Sequence, residues 1–255
     1  MNKHSENETP LVSIVTVVYN GEKHISSAVE SVLNQTYNNI EYIVIDGGSK
    51  DATLEILDKY KSRIDVLISE PDEGISDAFN KGVRKATGAI IGIINSDDWY
   101  EPDAVESVVD QLQESDAFVY GGMRVYLDDD SYVYQDPEDD YSLSIRYKMP
   151  TFNFPTVFFK ASMYEKAGLF DKRLSYAMDY DLLLRLFKMG FYGKPINKHI
   201  ANMRTGGVSV RDYPLVRREV KMISVRHGSN KSIAELYYFY YMLRYFVRCF
   251  IKKVL

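Results

Sequence analysis

Two patterns of hydrophobic positions alternate along the first half of the chain. Unbroken apolar runs rich in β-branched residues are typical of buried strands, and they occur at residues 11–19, 40–46, 65–69, 89–94 and 116–126. Apolar residues spaced three or four apart are typical of helices with one buried face, and they occur at residues 25–35, 51–60, 75–86 and 101–113. This alternation predicts an α/β fold.

The predicted fold class is a mostly parallel, doubly wound α/β sheet with helices at the C-terminus. In such sheets, ligands bind beyond the carboxyl ends of the strands. Asn20, Asp46 and the pair Asp97-Asp98 each lie at or just after the end of a predicted strand. We therefore expect three separate segments to meet in one crevice.

The second half of the chain is less regular. Residues 128–140 contain seven acidic side chains, which favours a solvated hairpin or loop with two short strands. Residues 150–160 are typical of a loop that leads into a strand, and residues 192–201 of another short strand. Helical spacing occurs over residues 161–167, 179–189 and 215–227.

Composition places the chain among ordinary globular proteins, with 45% hydrophobic and 26% charged residues. The single cysteine, Cys249, excludes an intramolecular disulfide and fits a reducing compartment. The longest charge-free run has thirteen residues, too few to span a bilayer as a helix, and residues 1–10 lack a secretion-signal pattern. A cytoplasmic location is expected.

Charge is distributed unevenly along the chain. Residues 1–150 contain 12 basic and 29 acidic side chains, whereas residues 151–255 contain 19 and 7. The acidic half suits a cation, and the basic half suits phosphates or an anionic membrane. The alternative is two solvated faces that attract each other.

Two of the strand ends carry candidate chemistry. Asp97-Asp98 can hold a hard cation, which prefers oxygen ligands and would bridge the oxygens of a diphosphate. Asp46 precedes two glycines that allow a ligand to approach the backbone, and it can accept a hydrogen bond from a base or sugar. The alternative for both segments is a turn that caps the next helix.

Asp179 begins a predicted helix, where it shares a stripe with Leu183 and Leu186. Asp181 and Arg185 share another stripe, so we expect a surface ion pair between them. A carboxylate on an apolar stripe needs a partner or a chemical task. Asp179 is therefore either a helix cap or a functional group in a cleft.

Five segments, in one order along the chain, resemble the family-two inverting glycosyltransferases, and most closely the bacterial enzymes that build surface polysaccharides. They are residues 12–22 (VSIVTVVYNGE), 31–37 (SVLNQTY), 44–53 (VIDGGSKDAT), 69–82 (SEPDEGISDAFNKG) and 95–98 (NSDD). Each motif is weak alone, but five in order are specific, and the likeness covers about residues 10–210. The resemblance implies a glycosyltransferase A fold that binds a nucleotide-diphospho-sugar.

The resemblance also implies roles for single residues. Asp46 is similar to the acid that binds uracil, and Asp97 to the acid that faces the ribose or donor sugar. Asp98 is similar to the ligand of Mg²⁺ or Mn²⁺, and Asp179 to the catalytic base, although Met178 stands where the family often has Glu. The implied donor-binding set is Val18, Tyr19, Asn20, Asp46, Gly47, Asn80, Lys81, Asp97 and Arg204. For the cations of this set, the alternative is an ordinary surface position.

The chemistry of sugar transfer agrees with these roles. A carboxylate can take the proton of the acceptor hydroxyl as it attacks the anomeric carbon, and a divalent cation stabilises the leaving diphosphate. We predict a metal-dependent inverting glycosyltransferase that moves a sugar from a nucleotide-diphospho-sugar to a saccharide carried on a lipid. A UDP-sugar is the favoured donor. The alternatives are a non-catalytic nucleotide-sugar or glycan-binding module and a sugar nucleotidyltransferase, which would need a basic Gly-rich loop near its first strand. No nucleic-acid partner is expected.

We divide the chain into a disordered tail at residues 1–10, a catalytic domain at 11–212 and a helical segment at 213–255. Residues 236–255 predict an amphipathic helix with Arg244, Arg248 and Lys252 on one stripe. Leu243, Val247, Phe250 and Val254 form the opposite stripe, and Tyr237, Tyr238, Tyr240, Tyr241 and Tyr245 add amphipathic rings. The hypothesis is that this helix lies on an anionic membrane, as a peripheral protein of the inner face; the alternative is packing on the domain or in a dimer.

Overall fold

The computed structural model describes residues 9–127, 131–206 and 211–254, without the side chains of 252–254. The strands in these ranges are β1 (Val12–Val18), β2 (Ile40–Asp46), β3 (Val66–Ser69), β4 (Ile90–Asn95), β5 (Trp99–Tyr100), β6 (Phe118–Tyr126), β7 (Tyr132–Gln135), β8 (Val157–Lys160) and β9 (Gly193–Arg204). The helices are α1 (Ile25–Leu33), α2 (Thr53–Asp58), α3 (Ile75–Lys85), α4 (Ala104–Gln111), α5 (Ala161–Ala167), α6 (Met178–Lys188), α7 (Tyr213–Arg226) and α8 (Lys231–Val254).

The described strands form one sheet in the order β3-β2-β1-β4-β8-β6-β9-β5, with β7 paired to β6. Strands β1 to β4 are parallel, and β6 and β9 run in the same direction as they do. Strands β5, β7 and β8 run the other way. The sheet is therefore mostly parallel, as the alternating pattern predicted.

Helices cover both faces of the sheet because successive strand residues point to opposite sides. Val15 and Val17 pack with α3, α5, α6 and α7 in one hydrophobic cluster. Ile14 and Val18 pack with α1, α2 and α4 in the other. The sheet is thus doubly wound, and the carboxyl ends of β1, β2 and β4 meet at one edge.

Three predicted elements differ in extent from the observed ones. The helix expected at residues 101–113 begins only at Ala104, because Glu101 and Pro102 use their backbone groups to bond Ile200 and Thr36. The strand expected at 192–201 continues to Arg204, because its last residues pair with β6. The acidic segment contains one described strand, β7, and residues 128–130 lie outside the description.

The C-terminal helix α8 packs along α7 through aromatic contacts. Tyr245 stacks on Tyr213 with ring centroids 5.2 Å apart, and the Arg217 guanidinium lies 4.1 Å from the centre of the Tyr241 ring. Most tyrosines of the predicted membrane cluster therefore face the domain, and among them only Tyr240 is largely exposed, at 53%. The side chains of Lys252 and Val254 lie outside the described residues.

The opposite face of α8 is apolar and open to solvent. Its large exposed side chains recur at helical spacing: Leu236, Phe239, Leu243, Phe246, Val247, Phe250 and Ile251. No helix within residues 9–127, 131–206 and 211–254 is both long and apolar enough to cross a membrane.

The structure describes only part of the predicted N-terminal tail but most of the predicted C-terminal helical segment. The predicted disordered tail falls mainly on residues 1–8, which lie outside the description. The carbonyls of Thr9 and Pro10 accept hydrogen bonds from Asn39 and Tyr37. Helix α7 begins at Tyr213, where the predicted C-terminal segment begins.

Candidate functional site

Three loops at the carboxyl ends of β1, β2 and β4 surround a cavity of about 700 Å³. The loop after β1 contributes residues 19–24, the loop after β2 contributes Lys50 and Asp51, and the turn after β4 contributes Ser96 and Asp97. The crevice expected from the strand ends is therefore present. Of the predicted donor residues, Tyr19, Asn20 and Asp97 line it directly.

Asn20 joins the first two loops. It has a φ of 50°, which Asn tolerates better than most residues, and its backbone N–H donates to Ser49 Oγ at 2.8 Å. Its Oδ1 accepts the Lys50 N–H at 2.8 Å. Val18, just before it, is buried, and its carbonyl accepts the Gly47 N–H at 2.9 Å. The side chain of Val18 is therefore packed in the core, and Val18 is not among the described residues that line the cavity.

Asp46 lies below the cavity floor and has no exposed surface. Its carboxylate accepts hydrogen bonds from the N–H of Gly48 and from both the N–H and the hydroxyl of Ser49. Ser69 Oγ donates a further bond at 2.6 Å. Asp46 therefore organises the turn after β2, and a ligand reaches it only by displacing one of these donors.

Lys81 connects α3 to the acidic loop before that helix. Its ammonium lies 2.7 Å from Asp72 and 3.0 Å from Glu70. A Cβ atom added at Gly47 would lie 2.6 Å from Asp72 Oδ2, so the glycine is needed for this close approach. Lys81 is therefore bound to the acidic loop before α3 and is not among the described residues that line the cavity. Its predicted contact with the donor stays a prediction.

Asn80 is held away from the cavity. It is buried, its Nδ2 donates to the Phe170 carbonyl at 2.9 Å, and its Oδ1 accepts the Phe170 N–H at 2.8 Å. Both polar atoms of its side chain are therefore used within the fold. Its predicted contact with the donor stays a prediction.

Asp98 is a buried carboxylate with one unpaired oxygen. Its side chain is 2% exposed, and Oδ2 accepts a bond from Asn95 Nδ2 at 3.1 Å. Oδ1 has no hydrogen-bond partner, and neither has Asn95 Oδ1. Burial, reinforced by the neighbouring charge of Asp97, raises the pKa of Asp98 to about 8.

These unpaired oxygens fit a hard cation. A buried carboxylate oxygen without a donor is costly unless a positive charge approaches it. In the described ranges, no three His, Cys, Asp or Glu side chains form a cluster that could hold a metal. The site suits Mg²⁺ or Mn²⁺ in its usual form with phosphates, in which one or two carboxylates bind and water and diphosphate supply the remaining ligands.

Two basic side chains, Arg204 and His24, lie close to Asp97. Arg204 Nη1 donates to the Asp97 carbonyl at 2.8 Å, and its guanidinium lies 4.2 Å from the centre of the Trp99 ring. His24 lines the cavity, and burial together with the charge of Arg204 lowers its pKa, although Asp97 opposes the change. Sequence reasoning missed His24, whose only local signal is its place in the loop after β1.

Asp179 lies at the start of α6, on the sheet face that carries α3. One oxygen accepts the Tyr180 N–H at 2.7 Å, and part of the side chain remains accessible. Burial raises the pKa of Asp179 to about 6, and the negative charge of Glu219 adds to this effect. Asp179 is not among the described residues that line the cavity.

Glu219 on α7 holds the turn before α6. Its carboxylate accepts the N–H groups of Ser175 at 3.0 Å, Tyr176 at 2.7 Å and Ala177 at 2.6 Å. These N–H groups lie just before the first residue of α6, where a carboxylate is also favoured by the helix dipole. Sequence reasoning missed Glu219, because about 40 residues separate it from its partners and no local pattern marks it.

The expectation for Asp181 was half wrong. It pairs with Arg185 at 2.9 Å, as predicted, but it is 2% exposed and not on the surface. Arg226 and His227 at the end of α7 also bond to it. A residue on the polar stripe of α6 is buried because α7 covers that stripe, which local spacing cannot predict.

Comparison with known proteins gives a family and close relatives. The sequence model described as Glycosyl transferase family 2 matches residues 13–170. Chondroitin synthase of Escherichia coli is 36% identical over 89% of this chain, and hyaluronan synthase of Pasteurella multocida is 35% identical over 90%. An uncharacterized glycosyltransferase of Rickettsia prowazekii is 34% identical over 71%. The matches span 30%, 22% and 60% of these three proteins, respectively.

Solved structures share the fold. The Staphylococcus aureus protein TarS, residues 1–349 in complex with UDP, has a TM-score of 0.67 and 18% identity over 93% of this chain and 72% of its own. The mannosyltransferase PcManGT of Pyrobaculum calidifontis, in complex with GDP-Man and Mn²⁺, has a TM-score of 0.69 and 19% identity over 91% and 70%. The predicted fold class, a mostly parallel α/β sheet of the glycosyltransferase A type with C-terminal helices, is confirmed.

Proposed function

The chain belongs to glycosyltransferase family 2, and we propose that it transfers a sugar, with inversion, from a nucleotide-diphospho-sugar to a hydroxyl group of a saccharide acceptor. The observation that carries the proposal is the cavity at the ends of β1, β2 and β4, where Asn20 and Asp97 meet beside the buried Asp98. A nucleotide needs a crevice of this kind at the switch point of a doubly wound sheet.

In this proposal the nucleotide binds over the loops after β1 and β2. Tyr19 is 64% exposed beside Gly47 and offers a ring face to the base, while Asn20 and Asp97 offer polar groups to the ribose. Lys23 and Lys50 line the same cavity and suit a diphosphate. A solved neighbour of the same fold, TarS, binds UDP, which makes a UDP-sugar the first donor to test.

Asp98, with Asn95 beside it, would hold Mg²⁺ or Mn²⁺ on the diphosphate. Bound there, the ion supplies charge that stabilises the leaving group. PcManGT was solved in complex with GDP-Man and Mn²⁺, which supports a divalent ion for this fold. Arg204, which donates to the Asp97 carbonyl, places a cation close to this position.

Asp179 is the proposed catalytic base. A base must be deprotonated to accept the hydroxyl proton, and a pKa near 6 leaves Asp179 charged at neutral pH but more basic than an ordinary aspartate. A single base acting opposite the leaving group gives direct displacement, so the configuration at the anomeric carbon inverts. The rate should therefore fall as the pH drops below about 6.

The acceptor class follows from the relatives and the tail. Chondroitin and hyaluronan synthases are named for glycosaminoglycan products, so oligosaccharides of these two polymers are reasonable first acceptors. The exposed apolar face of α8 suits an enzyme at the inner membrane face, where a lipid-linked saccharide would be found.

Product analysis tests the proposal. The full chain would be incubated with UDP-sugars, Mn²⁺ and chondroitin or hyaluronan hexasaccharide, and the new linkage read by NMR. We expect a transferred sugar with inverted anomeric configuration. A retained configuration contradicts the mechanism. A parallel incubation with UTP and a sugar 1-phosphate that yields a UDP-sugar and pyrophosphate would instead support a nucleotidyltransferase.

The variant Asp179→Asn keeps the shape of the side chain but cannot accept the proton. Transfer should fall by about two to four orders of magnitude, while the affinity for UDP with Mn²⁺ changes little. Asp110→Asn, an exposed aspartate on α4, is the control and should leave both quantities unchanged. Full transfer activity in Asp179→Asn would overturn the assignment of the base.

A further inference from the structure

A row of aromatic rings crosses the sheet beside Asp97. The ring centroids of Trp99 and Tyr126 are 5.0 Å apart, those of Tyr126 and Tyr132 are 5.3 Å apart, and those of Tyr132 and Tyr134 are 5.3 Å apart. The His199 ring continues the series, 4.5 Å from Tyr134. Trp99, Tyr126, Tyr132 and Tyr134 are called the aromatic row below.

Strand register places these side chains on one face. Tyr126 is paired with Tyr132 on β7 and with Arg204 on β9, and Arg124 is paired with Tyr134 and with Asn202. Residues directly opposite each other on neighbouring strands point to the same side of a sheet. Trp99 on β5 is paired with Asn202 and so joins the same face.

This face is the one that carries α6. Along β6, Phe118 and Tyr120 belong to the same hydrophobic cluster as Leu183 of α6. Arg124 and Tyr126 follow them by an even number of residues and therefore point to the same side. Met123 and Val125, the odd-numbered residues, pack in the other cluster. The aromatic row and Asp179 thus lie on one side of the sheet.

The row is open to solvent and edged by cations. Tyr132 is 46% exposed and Tyr134 is 55% exposed. The Arg124 guanidinium lies 5.9 Å from the centres of both rings, and the Arg204 guanidinium covers Trp99. A patch of large exposed rings on one strand is more typical of a binding surface than of a solvated edge.

We propose that the aromatic row binds the acceptor saccharide and leads it toward the donor, with its distal sugars on Tyr132 and Tyr134 and its reacting end near Trp99. This inference rests on the proposed function and extends it to a second binding site. Its direction follows from the chain itself, because Trp99 immediately follows Asp98 and Arg204 bonds to the Asp97 carbonyl.

A saccharide is the ligand whose chemistry fits. A pyranose ring presents polarised C–H groups on its faces and hydroxyl groups at its edge, and the negative face of an aromatic ring attracts such C–H groups. The hydroxyls of the exposed Tyr132 and Tyr134 offer hydrogen bonds at the ring edge. Arg204 adds affinity for acidic sugars such as uronic acids, whereas Arg124 is already paired with Glu101.

The test compares Tyr132→Ala/Tyr134→Ala with wild type. Acceptor binding would be measured on a glycan array and with chondroitin and hyaluronan hexasaccharides, in the presence of UDP and Mn²⁺. Loss of two stacking rings should raise the acceptor KM or Kd by about tenfold to a hundredfold, whereas the Kd for UDP with Mn²⁺ should stay within about twofold of wild type. Tyr134→Phe, which keeps the ring, should lose much less.

Tyr192→Ala is the matched control, since Tyr192 is 52% exposed and lies outside the aromatic row, between α6 and β9. It should bind acceptors as wild type does. Unchanged acceptor affinity in the double variant overturns the inference, as does a wild-type protein that binds no saccharide of the array. If glycan binding depends on Tyr132 and Tyr134 but no sugar is transferred, the aromatic row stands and the proposed function fails.

Discussion

Asp98 is a side chain that the fold buries without giving both of its oxygens a partner. Such a carboxyl group is costly to ionise in the folded protein, and its ionised form becomes favourable when a cation approaches it. A ligand that binds the folded state more tightly than the unfolded state raises the melting temperature. The residue therefore links metal binding to stability.

We expect Asp98→Asn to melt no lower than wild type in the absence of metal, because the raised pKa leaves the Asp98 carboxyl group largely neutral at pH 7, as the amide is. UDP with Mn²⁺ should raise the melting temperature of wild type only. Thermal unfolding followed by circular dichroism measures both quantities, and Asp110→Asn serves as the control. An equal upward shift in Asp98→Asn would contradict the assignment of Asp98 as the metal ligand.

Single residues show where sequence reasoning succeeds and where it stops. Asp46, Asp97 and Asp98 could be located because each follows a strand whose apolar run is unmistakable. The partners of these residues could not be predicted in the same way. Glu219 reaches the turn before α6 from a helix far along the chain, and the burial of Asp181 depends on the packing of α7.

At the scale of elements, the junction between α7 and α6 controls Asp179. Glu219 accepts three backbone N–H groups just before α6, and its negative charge raises the pKa of Asp179. A base with a raised pKa loses activity as the pH falls through that value. Removing the charge should therefore extend activity to lower pH.

In Glu219→Gln we expect the acidic limb of the pH–kcat profile to move below its wild-type position near pH 6. The maximal kcat should fall, since the amide cannot accept all three N–H groups, and the donor KM should change little. Glu235→Gln, which removes a carboxylate from α8 that pairs with Lys221 at 3.0 Å, is the control. A lower kcat with an unmoved acidic limb would mean that Glu219 only supports the fold.

The exposed face of helix α8 is suited to an anionic membrane surface. Its exposed face combines Leu243 and Phe250 with the exposed cations Arg244 and Arg248. On an anionic surface each such cation contributes on the order of 1 kcal/mol, screened by salt. We expect the chain to sediment with phosphatidylglycerol vesicles through this face.

Arg244→Glu/Arg248→Glu should release the protein from the vesicles, and Leu243→Glu/Phe250→Glu should do so even at low salt. Leu143→Glu is the control, because Leu143 is 87% exposed but lies outside α8. Wild type that stays in the supernatant would assign this face to contact with protein instead.

The whole molecule joins an acidic half to a basic half. Lys172 pairs with Glu73 at 2.6 Å and with Asp77 at 3.3 Å, and Lys198 pairs with Asp103. These ion pairs connect residues about a hundred positions apart. They are consistent with the alternative in which an acidic face and a basic face attract each other. Because α8 keeps exposed cations of its own, this attraction and an anionic membrane are compatible explanations of the charge pattern.

The first half of the sheet was predictable because β1 to β4 alternate with helices that cover them locally. The second half was not, because β8, β6, β9 and β5 pair across long stretches of chain and β9 includes a register shift against β6. Pairing of this kind is decided by tertiary packing, which leaves no periodic mark in the sequence. The aromatic row, which depends on that pairing, could not be predicted either.

Hydrogen bonds between α3 and the segment before α6 restrict how these two parts can move relative to each other. Asn80 bonds to both backbone groups of Phe170, and Ser76 Oγ donates to the Leu174 carbonyl at 2.9 Å. These bonds fasten the helix that follows the acidic donor loop to the segment that leads into Asp179. Because these hydrogen bonds would have to break for the two parts to separate, we expect α3 and the segment before α6 to move together. The distance between the loop before α3 and Asp179 is then set by the fold before any substrate binds.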